Sequence, residues 1–255
     1  MAGKPGAPDM AACRPGHDFE AQPRSAGQVV ADHPIHPSCD RDRDRASGVC
    51  AEIDHAHGAA TQEFRLSLQQ ALVDDAAGKP AEARKLYDKL AGTPWEARAA
   101  IPSAINLVSL DRFDEAQHAF AALSGSADLR VAGYAQIWQL WITMRTYRGD
   151  ARGLRGQMAR ATVGLRAADG FQQALLNLYA GQGSVEAVFS AAEAATSEGS
   201  PQRRDARTQA ALFAGGYLQY VAGDAAMAQR IYRRELPQSS GSPEQPVLLR
   251  LIGNP

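Results

Sequence analysis

From Thr61 onward the apolar residues recur three and four apart; before it they follow no period. Phe64, Leu68, Ala71 and Leu72 make one helical stripe, and Gly78-Lys79-Pro80 ends it. Pro80 suits the first turn of the next helix, whose stripe is Ala83, Leu86, Tyr87 and Leu90. The same pattern predicts helices over about 95–109, 113–123, 130–148, 150–167, 171–180, 184–196, 202–222, 224–236 and 243–252. Breakers separate them: Asp111, Gly125, Gly149-Asp150, Asp169-Gly170, Gly181-Gln182-Gly183, Gly199-Ser200-Pro201, Gly223-Asp224 and Pro237. No run of alternating β-branched residues interrupts the series, so the region from 61 to 255 reads as all-α, built of short helices and short connections.

Residues 1–60 differ in kind. Pro, Gly, Asp, Arg and His dominate, and the apolar residues, such as Phe19, Val29-Val30 and Ile35, are isolated. Such a segment buries too little surface to offset its ordering entropy, which predicts a disordered N-terminal arm.

The second helices of successive pairs resemble one another. Aligned segments begin at Gly78, Asp111, Gly149, Gln182 and Gly223, and their paired apolar positions read Ala83/Tyr87, Ala116/Phe120, Leu154/Met158, Ala187/Ala191 and Ala228/Tyr232. Their spacing along the chain is roughly 33, 38, 33 and 41 residues, near the 34 of a tetratricopeptide repeat. On these residues the chain resembles the tetratricopeptide (TPR) family. There the alanine lets the two helices of a repeat approach closely, and the aromatic four residues on fills the space between repeats. Ala71 and Ala104 take the close-packing position of the first helices, Trp138 the place of the family's first-helix Trp, Phe171 its equivalent, and Leu212 with Gly215-Gly216 that of the last repeat. The resemblance implies a right-handed superhelix of about five helix-turn-helix repeats, with Val247-Leu248-Leu249-Arg250-Leu251 in a C-terminal capping helix.

A narrower likeness runs from Trp138 to Leu251. Leu178-Tyr179-Ala180-Gly181, and later Phe213 through Tyr217, Tyr220, Gly223-Asp224 and Ala228, resemble the C-terminal half of NlpI-type lipoproteins of the bacterial envelope. That family tethers and regulates peptidoglycan hydrolases and proteases. It carries a signal peptide and a lipidated cysteine, and the sequence shows neither.

Composition narrows the function classes. The chain is 45% hydrophobic and 22% charged, ordinary for a soluble protein, and its net charge of −1 gives no global attraction to nucleic acid or to a membrane surface. No apolar run reaches the roughly 18 residues of a transmembrane helix, and no signal-peptide core is visible, which predicts a cytoplasmic location. An arm of this composition also fits a start region translated too far upstream, and the expectation is then a periplasmic or envelope-associated form.

Chemistry is sparse in the helical region. It holds one histidine, His118, and no cysteine, and it has no GxSxG, P-loop or HExxH motif. No catalytic residue and no cofactor is assigned. Trp138, Trp141 and Tyr217 are candidate partner-binding aromatics, with inter-repeat core as the other reading of the tryptophans. Arg145, Arg148 and Arg152, clustered with Arg155 at the Gly149-Asp150 turn, are candidate carboxylate-binding groups, with a solvated edge as the other reading. The arm offers His33, His36, Cys39, Cys50, His55 and His57, ligand types suited to zinc or copper. The reading that follows is a non-enzymatic adaptor or scaffold holding protein or peptide partners on its concave face, in envelope or secretion assembly. The second class is a metal- or redox-responsive protein using the arm.

Overall fold

A computed structural model describes residues 47–239 and 241–253, with side chains described from residue 61. The chain divides into two units, Met1–Gln62 and Glu63–Pro255. Of the first, the described part is helical backbone from Ser47. The predicted disordered arm therefore lies outside the described residues up to 46, and its last stretch is helical. Ala51, Ala56, Ala59 and Ala60 favour a helix there, and no proline falls between Pro37 and Pro80.

Among the described residues the protein is helical throughout, with no strand. The α-helices are α1 (Ser47–Ala76), α2 (Pro80–Leu90), α3 (Glu96–Ser109), α4 (Phe113–Ser124), α5 (Leu129–Thr146), α6 (Ala151–Ala161), α7 (Gly170–Tyr179), α8 (Val185–Ala194), α9 (Pro201–Gly216), α10 (Ala225–Glu235) and α11 (Gln245–Gly253). A π-helix, Tyr217–Ala222, prolongs α9. The predicted helices recur with small shifts. The one placed at 150–167 stops at Ala161, because Gly164 takes φ +80°.

Side-chain caps fix many of the starts. Asp150, Asp169, Ser184, Ser200 and Asp224 each accept a hydrogen bond from the backbone N–H three residues on. α2 and α4 lack such a cap and start after residues in the left-handed region, Gly78 (φ +73°) and Asp111 (φ +56°).

One register governs the second helix of every pair. The fourth and eighth residues after each N-cap are buried: Ala83/Tyr87, Ala116/Phe120, Leu154/Met158, Val188/Ala192 and Ala228/Tyr232. This corrects the pair expected in α8. Ala187 is exposed and Ala191 half-buried, since the Ser184 cap sets the frame one residue later. Twelve residues before the first member of each pair stand Ala71, Ala104, Ile142, Leu176 and Gly216, also buried. Both members are small in the first, second and last pairs and larger in the third and fourth.

Consecutive helices pack on one another from α2 to α5 and from α7 to α10, and α5 also meets α7, α9 and the π-helix. A small core holds Ala71, Ala83, Tyr87, Leu90 and Ala99, and a larger one runs from Ala104 to Leu251. Asp75 joins the first two pairs: it accepts from the Tyr87 hydroxyl at 2.9 Å and from Asn106 Nδ2 at 2.7 Å. Burial is the largest influence on that carboxyl and raises its pKa, against the two hydrogen bonds.

Candidate partner-binding site

Trp138 stands at the centre of the larger core. Its ring stacks on Phe120 from α4 at 5.3 Å and meets Tyr134, Trp141 and Phe213 edge to face. It is fully buried and Trp141 nearly so. As placed, neither indole offers a surface to a partner, which corrects their assignment as anchors. The reason is helical: the indoles are three residues apart on α5, on the side that meets α4 and α9. Tyr217 is half-buried and stacks on Tyr179 at 6.3 Å.

The arginines end up at the edge of the fold. Arg145 is exposed in the last turn of α5, its guanidinium 5.7 Å from the ring centres of both Phe113 and Tyr220. α5 stops at Thr146, so Arg148 lies in the following loop, while Arg152 is in the first turn of α6; both are exposed. Arg155 donates to the Val221 carbonyl of the π-helix at 3.5 Å.

A second basic cluster joins α8, α9 and α10. Arg207 makes a two-pronged pair with Glu235 at 3.0 and 2.6 Å and also bonds Glu193. Arg234 reaches the same Glu235 at 2.7 Å, and the Arg207 and Arg234 guanidiniums both lie over the Phe189 ring. Glu235 is fully buried, so both arginines neutralise an internal charge. A cavity of about 300 Å³ opens beside them, lined by Glu193, Glu198, Arg203 and Arg204.

The feature with no counterpart in the sequence reading is the seat of the C-terminal segment. α11 packs on α10 and α9, as a cap of the last pair would, and also on α3, far earlier in the chain. Arg250 bonds the Ser109 carbonyl and the Asp111 carboxylate at the end of α3. Gln229 Nε2 on α10 donates to the Leu251 carbonyl at 2.7 Å. Just ahead of α11, the fully buried carboxyl of Glu244 accepts from Tyr134 on α5 and from Ser242. Burial raises its pKa above the usual glutamate range, and the two hydroxyls pull it back. A cavity of about 90 Å³ remains between Phe113, Trp141 and Arg145 on one side and Val247, Arg250 and Leu251 on the other.

His118 is exposed on α4. Among the described residues no three His, Cys, Asp or Glu side chains gather where a metal ion could be held. His33, His36 and Cys39 lie outside the described residues, as do the side chains of Cys50, His55 and His57, whose backbone belongs to α1. No helix among the described residues is long and apolar enough to cross a membrane. Searches with family models, among curated proteins and among solved structures found no match.

Proposed function

We propose that this chain is a non-enzymatic adaptor built of tetratricopeptide-like repeats, stacked as a right-handed superhelix, which binds protein or peptide segments on the face lined by its first helices. The observation that carries the reading is the shared register of α2, α4, α6, α8 and α10, each burying the fourth and eighth residues after its cap. A register repeated along the chain is how quasi-one-dimensional arrays are built, and such arrays present long rigid surfaces. Aromatic residues carry the inter-pair packing in this reading, which leaves the exposed arginines at the end of α5 as polar contacts for acidic groups of a partner. The likeness to NlpI-type proteins points to the bacterial envelope, and mass spectrometry of the native N-terminus tests that location.

The binding surface is tested by charge reversal. Arg148→Glu and Arg152→Glu together touch exposed groups only, so the chain should keep its cooperative melt. Cross-linking of the native protein in cells should then lose partners that the unaltered chain captures. Retention of every cross-linked partner by the folded double variant would exclude this edge as the contact surface.

A further inference from the structure

Two features at the seat of α11 are costly where a permanent core would avoid them. The segment buries a carboxyl, Glu244, where an apolar side chain would hold more firmly. The surface beneath it carries Asp111 with φ +56°, at a turn where the first and last pairs have Gly78 and Gly223. The Arg250–Asp111 pair is also open to water, its side chains 38% and 49% exposed, and such pairs are weak. What remains is a matched code of polar groups. The surface offers the Tyr134 hydroxyl, the Asp111 carboxylate and the Ser109 carbonyl; the segment answers with Glu244 and Arg250.

α11 itself is short, Gln245–Gly253, too short to persist as a helix without a surface to lie on. It turns Val247, Leu248 and Leu251 inward and leaves Leu249 outward. Its connection to α10 bends at Gly241 (φ +88°) and Pro243. The cavity of about 90 Å³ beside Leu251 shows that α11 leaves part of the surface unfilled.

We infer that residues 241–253 are a displaceable self-ligand, and that the surface beneath them receives an amphipathic helix of the same pattern from a partner protein. That helix carries an acidic residue just before its first turn, a basic residue six positions later, and apolar residues at the places of Val247, Leu248 and Leu251. The inference rests on the adaptor reading and adds to it the class of partner and its regulation: the groove is closed until a better helix displaces the chain's own.

The test uses the full chain and a fluorescent peptide of residues 241–253. Leu248→Asp places a charge on the fully buried face of α11 and leaves the receiving surface intact. The peptide should bind this variant at least tenfold more tightly than the unaltered chain, whose groove is occupied in cis. Carrying Arg250→Ala in the peptide should weaken binding severalfold. A folded Leu248→Asp variant that binds the peptide no better than the unaltered chain overturns the inference. Should that variant fail to fold, hydrogen exchange of the unaltered chain decides. Faster exchange of the 247–252 amides than of buried α9 amides supports a segment that opens by itself. Equal protection makes α11 a fixed part of the core and overturns the inference. In that event the charge reversal at Arg148 and Arg152, outside the seat of α11, still reports on the adaptor function separately.

Discussion

Tyr134 on α5 donates its phenolic hydrogen to the carboxyl of Glu244, a bond between residues 110 apart in the chain. It ties the middle of the fold to its C-terminal segment through a group that titrates. Burial raises the Glu244 pKa above its ordinary 4.5, with Asp205 adding a little in the same direction. The docked carboxyl thus binds its proton more tightly than the undocked one. Docking is strongest below the ordinary glutamate range and weakens as pH rises through the raised value. Protection factors of the 245–253 amides should fall as pH rises from the ordinary glutamate range through the raised value, and Glu244→Gln should flatten that dependence. Asp75, raised by burial as well, gives the whole unit a slope of the same sign that the Glu244→Gln variant keeps. Protection factors that stay constant over that rise in the unaltered chain would show that this carboxyl does not control docking.

The corrected frame of α8 is open to a direct comparison. Ala187→Leu points into solvent and should leave stability within about 0.5 kcal/mol. Ala192→Leu enlarges a fully buried position and should cost about 1–3 kcal/mol. Urea melts of the two variants read the difference, and a reversed order would place Ala187 and Ala191 inside instead.

Gly215 and Gly216 allow two close approaches. A β-carbon on Gly216 would run into the Trp141 indole, and one on Gly215 into the Tyr232 ring, well inside van der Waals contact. Both rings are buried and have no room to retreat. Gly216→Ala should destabilise by about 1–3 kcal/mol in a chemical melt. Gly253→Ala, with open space around it, serves as the control.

Arg207 neutralises Glu235 and reaches Glu193, so it joins α8, α9 and α10. Arg207→Met should cost about 3 kcal/mol, because it strips most of the neutralisation from a fully buried carboxylate. Glu235→Gln in the same chain removes the orphaned charge and should recover part of the loss. A double variant no more stable than Arg207→Met would mean that packing, not charge, sets the cost.

Most of the helices could be read from the chain because their signals are local. Asp150, Asp169 and Asp224 sit at breaks in the apolar period, and each caps the helix that follows. The frame of α8 is ambiguous for a local reason too: Ala187, Val188, Ala191 and Ala192 offer two nearly equivalent stripes, and only the cap chooses between them. Trp138 and Trp141 show the limit of residue type. An aromatic pair on a helix looks the same as anchor or as core until the neighbouring helices are placed. The seat of α11 was out of reach for another reason. Its bonds run from Arg250 to residues 139 and 141 positions earlier, and no periodicity records a contact at that distance.

The π-helix at Tyr217–Ala222 closes the first helix of the last pair. A turn that takes in an extra residue changes pitch without breaking the helix. Upstream of it, Gly215 and Gly216 hold their places against Tyr232 and Trp141; downstream, the Asp224 cap starts a new count that lands Ala228 and Tyr232 inside. The twelve residues from Gly216 to Ala228 equal the spacing of the other pairs, so the wider turn leaves the register of α10 where theirs is.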